Sequence, residues 1–207
     1  MGGGHNVPTG KWRDGLCDCC ETECCRPSCC LGMWCRSILL GQVLTRNGLD
    51  WMANPIPSVN FAAFKTWMII TVVFVVSSAV SASLQVTVYP SFAEQLEYQR
   101  FVFDNPGTAL DPPAGPGWAR TIVSILSIIS SVLSILMCIV TCRARTLLRE
   151  RYNIPTESCG SCEDCCCAYF CAPCTLCQLA RHTADYEHHP STCCSATGLR
   201  PDAPEVV

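Results

Sequence analysis

Charged side chains are scarce in this sequence. Asp, Glu, Lys and Arg together make up 15% of its 207 residues, whereas hydrophobic residues make up 49%. An average soluble domain contains about 25% charged residues, which face water on its surface. The shortage of charge therefore argues against an ordinary soluble domain and favours a protein that buries apolar surface in a lipid bilayer.

Three further features are missing, and each argues against one class of protein. No block of Lys and Arg with interleaved aromatic residues occurs, and the net charge is −3, so we expect no nucleic-acid partner. No nucleophile elbow or phosphate-binding loop occurs, so we expect no enzymatic activity and no catalytic residues. Residues 1–36 contain no apolar signal-peptide core, so we expect the 20 cysteines to reside initially in the reducing cytosol.

Two stretches without any charge are long enough to cross a bilayer. No charged residue lies between Lys65 and Glu94, and residues 66–89 are mostly Ile, Val, Phe, Met, Ala and Ser. Residues 121–142 are likewise uncharged. At about 1.5 Å per residue, each helix covers the ~30 Å hydrocarbon core. The sequence predicts a mainly α membrane protein built on a two-helix transmembrane hairpin.

The basic residues orient this hairpin. Most of them precede the first span or follow the second, whereas the charged residues within 90–118, between the spans, are mainly acidic. Because cytoplasmic segments carry the excess of Lys and Arg, we expect both termini in the cytosol. The Pro/Gly-rich residues 90–118 predict an irregular, non-cytosolic loop. The flanking basic residues are Arg46, Lys65, Arg143, Arg145, Arg149 and Arg151.

The cysteines avoid the connecting loop and gather at the two ends of the chain. Because a hairpin brings both ends to one membrane face, the flanking segments are expected to form one small cysteine-rich cytosolic domain. The N-terminal cluster is Cys17, Cys19, Cys20, Cys24, Cys25, Cys29, Cys30 and Cys35, and the C-terminal cluster is Cys159, Cys162, Cys165, Cys166, Cys167, Cys171, Cys174 and Cys177.

The remaining segments complete the predicted organisation. Residues 31–49 show an i, i+3, i+4, i+7 apolar pattern that predicts one amphipathic helix, with Gln42 and Arg46 on its polar side. This helix lies in the membrane interface or packs on the cysteine-rich segment. The order is a flexible N-terminus (1–10), an N-terminal Cys-rich segment with the amphipathic helix (11–49), the hairpin, a basic helix with the C-terminal Cys-rich segment (143–186), and a polar tail (187–207).

Repeated C-x-x-C steps offer thiolates to a soft divalent cation such as Zn²⁺. On a helix, steps of three residues turn about 300°, so these cysteines cannot share one face, and short cysteine knuckles are expected. Reduced structural cysteines, disulfides, and S-acylation of Cys29, Cys30 and Cys35 remain alternatives. The candidate metal ligands are Cys17, Cys19, Cys20, Cys24, Cys29, Cys162, Cys165, Cys166, Cys167, Cys171, Cys174, Cys177 and His182, although a lone His is more often a solvated side chain.

Small residues recur at helical spacing in both spans. Small-xxx-small patterns let helix backbones approach closely, which favours packing within the hairpin. A rival interpretation is a homo-oligomer in which the hydroxyl groups line a pore. These residues are Ser77, Ser78, Ser81 and Ala82 in the first span, and Ser124, Ser127, Ser131 and Ser134 in the second.

The cysteine segments carry a resemblance to a known family. Residues 12–19 read W-R-D-G-L-C-D-C and are followed by Cys29-Cys30-Leu31-Gly32, while a Cys triplet at residues 165–167 precedes C-T-L-C-Q at residues 174–178. In this order the motifs resemble both halves of the placenta-specific-eight cysteine-rich domain family. That family includes plant cadmium-resistance proteins, cell-number regulators, onzin and cornifelin. Many plant members have a Glu near the position of His182.

Two functions follow as hypotheses. The resemblance implies a membrane protein linked to divalent-metal handling in some members and to growth control in others. The leading hypothesis is a plasma-membrane or endomembrane protein that binds or helps to transport a soft divalent cation such as Zn²⁺ or Cd²⁺. The alternative is a membrane scaffold that regulates cell growth or number, in which the cysteine domain is structural or S-acylated.

Overall fold

All regular secondary structure in the described residues is helical. The computed structural model describes residues 7–18, 27–57, 61–88, 92–105, 107, 116–157, 159–186, 188–193, 195–201 and 203. Within these ranges there is no β-strand, only one antiparallel bridge between Leu49 and Pro55. The prediction of a mainly helical protein is confirmed. The helices are α1 (Pro27–Trp34), α2 (Arg36–Arg46), α3 (Ala62–Val88), α4 (Phe92–Asp104), α5 (Gly117–Arg151), α6 (Glu163–Phe170) and α7 (Ala172–His182), with a 3₁₀ turn at Gly160–Cys162.

Helices α3 and α5 are long and apolar enough to span a membrane, as predicted. Their large apolar side chains are mostly exposed; Val76 is 56% exposed and Ile128 is 64% exposed. Apolar surface of this extent on a helix suits contact with lipid. Helix α5 continues past its apolar part to Arg151, so the expected basic extension of the second helix is present.

Serine hydroxyl groups in α5 are satisfied within the helix. Ser131 Oγ and Ser134 Oγ each donate a hydrogen bond of 2.9 Å to the carbonyl oxygen four residues earlier. This bond satisfies the hydroxyl donor within the helix, so the polar group needs no partner outside it. In α3, Ser77 is buried and donates to Phe74 O.

The connection between the long helices is more regular than the sequence predicted. Residues 92–104 form α4, although the whole of 90–118 was expected to be irregular. The Pro and Gly residues that suggested a loop follow this helix rather than interrupt it, since residues 92–104 contain neither. Most of the Pro/Gly-rich stretch, residues 106 and 108–115, lies outside the described residues.

The chain divides into two compact units. Unit 1 comprises Met1–Thr71 and Ile135–Val207, and unit 2 comprises Val72–Ser134. In unit 2, Ala119 and Val123 of α5 are buried and Leu84 of α3 packs on them. Unit 1 therefore takes residues from both ends of the sequence, and every cysteine that the structure describes lies in it.

The core of unit 1 is built mainly by α2, α5 and α7. Most of its fully buried apolar side chains come from these three helices and from the first turns of α3, and Leu49 and Ala53 come from the segment between α2 and α3. The largest of them are Leu39, Leu40, Leu44, Leu49, Trp67, Leu148, Leu176 and Leu179.

The two cysteine-rich segments form the same motif twice. Residues 27–46 and 163–182 align without a gap, and each forms an eight-residue helix, one non-helical cysteine and an eleven-residue helix. The non-helical residues, Cys35 and Cys171, have similar backbone angles, φ −130° with ψ 49° and φ −138° with ψ 50°. We call this the helix–Cys–helix repeat. Its matching residues include Cys29 and Cys165, Cys30 and Cys166, Leu40 and Leu176, and Gln42 and Gln178.

The repeat differs from three expectations. The single amphipathic helix predicted over residues 31–49 is divided at Cys35. Five of the C-terminal cysteines lie on α6 and α7 rather than in knuckles: Cys165, Cys166, Cys167, Cys174 and Cys177. Gln42 and Arg46, expected on a polar face, are buried instead. The reason is that the C-terminal part of the chain covers the polar side of α2 and supplies hydrogen-bond partners there.

Candidate functional site: the cysteine-rich unit

Helices α1 and α7 place one cysteine from each end of the chain in the same core. A Cβ atom added to Gly32 of α1 would overlap Cys177 Sγ of α7 and would lie 3.4 Å from Pro173 O. The glycine is therefore needed for the close approach of the two helices. Cys29 and Cys177 are both buried in the core of unit 1, where their side chains pack as small apolar groups.

A buried carboxylate holds α6 against α5. Asp164 is fully buried, with its Oδ1 3.1 Å from Arg145 Nε and its Oδ2 2.9 Å from Arg149 Nε. Thr146 Oγ1 donates a further hydrogen bond of 2.9 Å to Asp164 Oδ2. With both oxygens bonded to charged donors, the carboxylate can be buried without an unpaired charge.

Arg145 extends this network to the N-terminal segment. It donates to Gln178 Oε1, and its guanidinium lies 4.6 Å from the ring centroid of Trp12. Gln178 Nε2 donates to Asp14 O at 2.8 Å, and Arg181 Nε lies 2.9 Å from Asp14 Oδ2. The W-R-D-G stretch at residues 12–15 thus docks on α5 and α7, which accounts for the family motif in physical terms.

His182 is a core residue. It is fully buried, and its ring packs edge-on against Trp12 and Tyr152 at centroid distances of 5.0 and 4.9 Å. The Arg13 backbone N–H donates to His182 Nδ1 at 3.2 Å. This differs from a solvated side chain, and Nδ1 is already occupied as an acceptor. Burial also raises the pKa of Tyr152 above its usual value, because the phenolate would be poorly solvated.

The first copy of the repeat has its own buried polar contacts. Arg46 Nε donates to Thr183 Oγ1 at 2.9 Å, and its other nitrogens donate to Tyr186 Oη and Ala180 O. Gln42 Nε2 donates to three backbone carbonyls of the tail, those of Thr192, Cys193 and Ser195. Because residues 192–195 lie in the predicted polar tail, part of that tail is bound to unit 1. Arg46 and Gln42 were not predicted as site residues.

The predicted metal ligands fall into several environments. Cys165 forms a disulfide with Cys142, so one of the alternatives considered from the sequence is realised there. Cys17, Cys162 and Cys166 are exposed, and Cys167, Cys171 and Cys174 are half-buried. Cys19, Cys20 and Cys24 lie outside the described residues. Among the residues that the structure describes, no group of three or more His, Cys, Asp or Glu has metal-binding geometry.

Two exposed cysteines next to α6 interact with each other, and one of them, Cys159, is outside the predicted set of ligands. Cys162 Sγ donates to the carbonyl oxygen of Cys159 at 3.2 Å. The neighbouring Cys162 raises the pKa of Cys159, through its charge and through a hydrogen bond between the side chains. These two residues form a surface dithiol at the start of α6. Among the predicted acylation sites, Cys30 is exposed, Cys35 half-buried and Cys29 buried.

Comparison with known proteins finds a family match that covers most of the chain. Residues 12–182 match the PLAC8 family, a range that includes the docked W-R-D-G stretch, both long helices and both copies of the repeat. A segment of 37 residues is 60% identical to Cornifelin homolog B of Xenopus laevis; it makes up 18% of this chain and 31% of that protein. No solved structure matches the chain. Because the match covers most of the chain and includes the motifs that build unit 1, this protein belongs to the PLAC8 family.

Proposed function

We propose that this protein is an integral membrane scaffold. In this proposal α3 and α5 form a transmembrane hairpin that holds unit 1 on the cytosolic face, where unit 1 contacts other proteins and regulates cell growth or number. Growth control is the role that resemblance to the cell-number regulators suggests. The protein has no enzymatic activity of its own in this proposal.

The observation that carries the proposal is that unit 1 is formed by two segments, one from each end of the chain. Its residues precede Thr71 and follow Ile135, so the chain leaves the unit along α3 and returns along α5. If each helix crosses the bilayer once, both ends emerge on the same side, which is what a unit folded from both ends requires. Exposed Lys65 and Arg143 flank the apolar stretches and favour the cytosolic side.

The described cysteines support a structural role in this scaffold. Cys29 and Cys177 are part of the core, where they pack against apolar side chains, and this use needs no metal ion. S-acylation of the exposed Cys30 would add a second anchor beside the membrane.

Binding of a soft divalent cation is the second candidate. The observation that favours it is the surface dithiol of Cys159 and Cys162, together with the burial of Cys29 of α1 and Cys177 of α7 in one core. A tetrahedral thiolate site needs four ligands, so the described residues would have to be joined by others, such as Cys19, Cys20 or Cys24.

Metal analysis with thiol counting on detergent-purified, full-length protein separates the two. The scaffold proposal expects folded protein without a stoichiometric ion, and a Cys177→Ala variant that still folds because Ala also fits beneath α1. A stoichiometric Zn²⁺ or Cd²⁺ that Cys174→Ser and Cys177→Ser remove would establish the metal site instead. Cys30→Ser, an exposed cysteine in the same unit, is the matched control.

A further inference from the structure

Four large side chains of unit 1 are exposed at equivalent places in the two copies of the repeat. Met33 and Trp34 end α1 and are 59% and 88% exposed, while Tyr169 and Phe170 end α6 and are 73% and 81% exposed. Each pair directly precedes the non-helical cysteine of its copy. We call these four residues the junction surface. Two adjacent apolar pairs at matching positions differ from the isolated exposed apolar residues of an ordinary surface.

The first pair lies at the end of unit 1 nearest the apolar part of α3. Ser37 Oγ, near the start of α2, lies 2.7 Å from Thr71 Oγ1. Thr45, near the end of α2, accepts a hydrogen bond from the Phe64 backbone N–H at 3.1 Å. Helix α2 is therefore antiparallel to α3, and its first residues are level with Thr71. Trp34, just before α2, belongs to this end.

The second pair lies at the same end, by a similar comparison with α5. Near the middle of α7, Gln178 bonds to Arg145, and at the end of α7 the His182 ring packs on Tyr152. Helix α7 therefore runs in the same direction as α5, so its start is level with residues before Arg145, in the apolar part of α5. Phe170 comes directly before α7. The proximity of Gly32 to Pro173 places the two pairs near each other.

We propose that the junction surface inserts into the interfacial region of the lipid bilayer. This inference rests on the proposed membrane hairpin and adds a lipid-binding face to unit 1. Trp and Tyr favour the headgroup level because their rings are apolar and carry one polar group. Exposed Arg36, two residues after Trp34, suits the lipid phosphates at this depth. Unit 1 is thereby held against the membrane by both copies of the repeat as well as by α3 and α5.

Depth-dependent fluorescence quenching of the full-length protein in liposomes tests this. The difference in fluorescence between the unsubstituted protein and Trp34→Phe gives the emission of Trp34. The same difference for Trp51→Phe gives the emission of Trp51, the matched control. Trp51 is 41% exposed and follows the far end of α2, with its carbonyl bonded to Trp67 Nε1. Lipid brominated near the headgroup should reduce the Trp34 component about twofold and leave the Trp51 component unchanged, and aqueous iodide should do the reverse.

Two results would overturn the inference, and they differ in what else they remove. In the first, iodide quenches Trp34, brominated lipid does not, and the protein resists extraction by alkaline carbonate. This result would contradict the lipid contact and would be consistent with the membrane hairpin. In the second, alkaline carbonate extracts the protein from the membrane. This result would contradict both the transmembrane hairpin and the lipid contact. In a Trp34→Ser variant, the emission wavelength of the remaining tryptophans should change little. The reason is that the Trp34 side chain lies outside the core of unit 1, so the unit still folds.

Discussion

Gly32 shows what a single side chain can control in this unit. Its hydrogen atom faces Cys177 Sγ, and a Cβ there would overlap the sulfur. We expect Gly32→Ala to destabilise unit 1 by about 1–3 kcal/mol, because α1 must move away from α7. Thermal unfolding in detergent, followed by tryptophan fluorescence, measures the change.

The control for this prediction is Gly117→Ala. A Cβ at Gly117 meets nothing within 4 Å, and the residue starts α5. Its effect should stay within about 0.5 kcal/mol. Equal effects of the two substitutions would show that the contact between Gly32 and Cys177 does not limit the packing of α1 on α7.

The buried phenol of Tyr152 makes stability depend on alkaline pH. Burial raises its pKa in the folded protein, so the folded state holds the proton more tightly than the unfolded state. The stabilisation is complete below the unfolded pKa of about 10 and is lost as pH rises through the raised folded pKa. The midpoint temperature of thermal unfolding should therefore fall as the pH rises above about 10. In Tyr152→Phe this part of the fall should be absent; an unchanged profile would contradict the assignment.

Individual polar residues were also the hardest to predict. Gln42, Arg46 and His182 are polar at positions where the local pattern allowed a solvated face, yet all three are buried. Their partners are remote in sequence: the Arg13 N–H that bonds His182 lies 169 residues away. A periodicity argument compares near neighbours only, so it cannot detect such partners.

At the scale of elements, α6 depends on one carboxylate for its contact with α5. Asp164→Asn removes the charge that two buried or half-buried arginines share, and it leaves buried Arg145 with only the longer ionic contact to Glu163. We expect a loss of about 3–5 kcal/mol in unfolding free energy. Chemical denaturation in detergent, read by circular dichroism, measures it.

The adjacent residue provides the control for the Asp164 variant. Glu163 approaches Arg145 only to 3.9 Å, so Glu163→Gln should cost at most about 1 kcal/mol. Similar losses for the two variants would mean that α6 is held by its helix N-terminus in general rather than by the buried pair.

Elements with a strong local signal were predicted well. The long apolar helices were found because their hydropathy is continuous, and the basic extension of α5 was found because Pro155 limits it. Helix α4 was missed because the Pro and Gly residues after it dominated the composition of the segment. The helix–Cys–helix repeat was missed although its signal is in the sequence, as C-C, a small residue, an aromatic before Cys, and then L-x-Q.

At the scale of the whole molecule, the prediction concerns topology. Reporters fused to the N-terminus and to the C-terminus should both be active in the cytosol, because both ends belong to unit 1. A reporter inserted between Asp104 and Gly117 should lie on the opposite side. Protease protection of sealed vesicles measures each position. A C-terminal reporter on the non-cytosolic side would overturn the hairpin and the scaffold proposal together.

By itself, the sequence determined that the protein is helical, cysteine-rich, equipped with two apolar helices, and related to the placenta-specific-eight family. These properties follow from hydropathy and motif order, which are read along the chain. The tertiary structure alone decided which thiols are buried, how His182 and Asp164 are used, and that both ends of the chain build one unit. The reason is physical: buried polar groups depend on partners from other helices or segments, which for His182 and Gln42 lie more than a hundred residues away, and no local pattern records them.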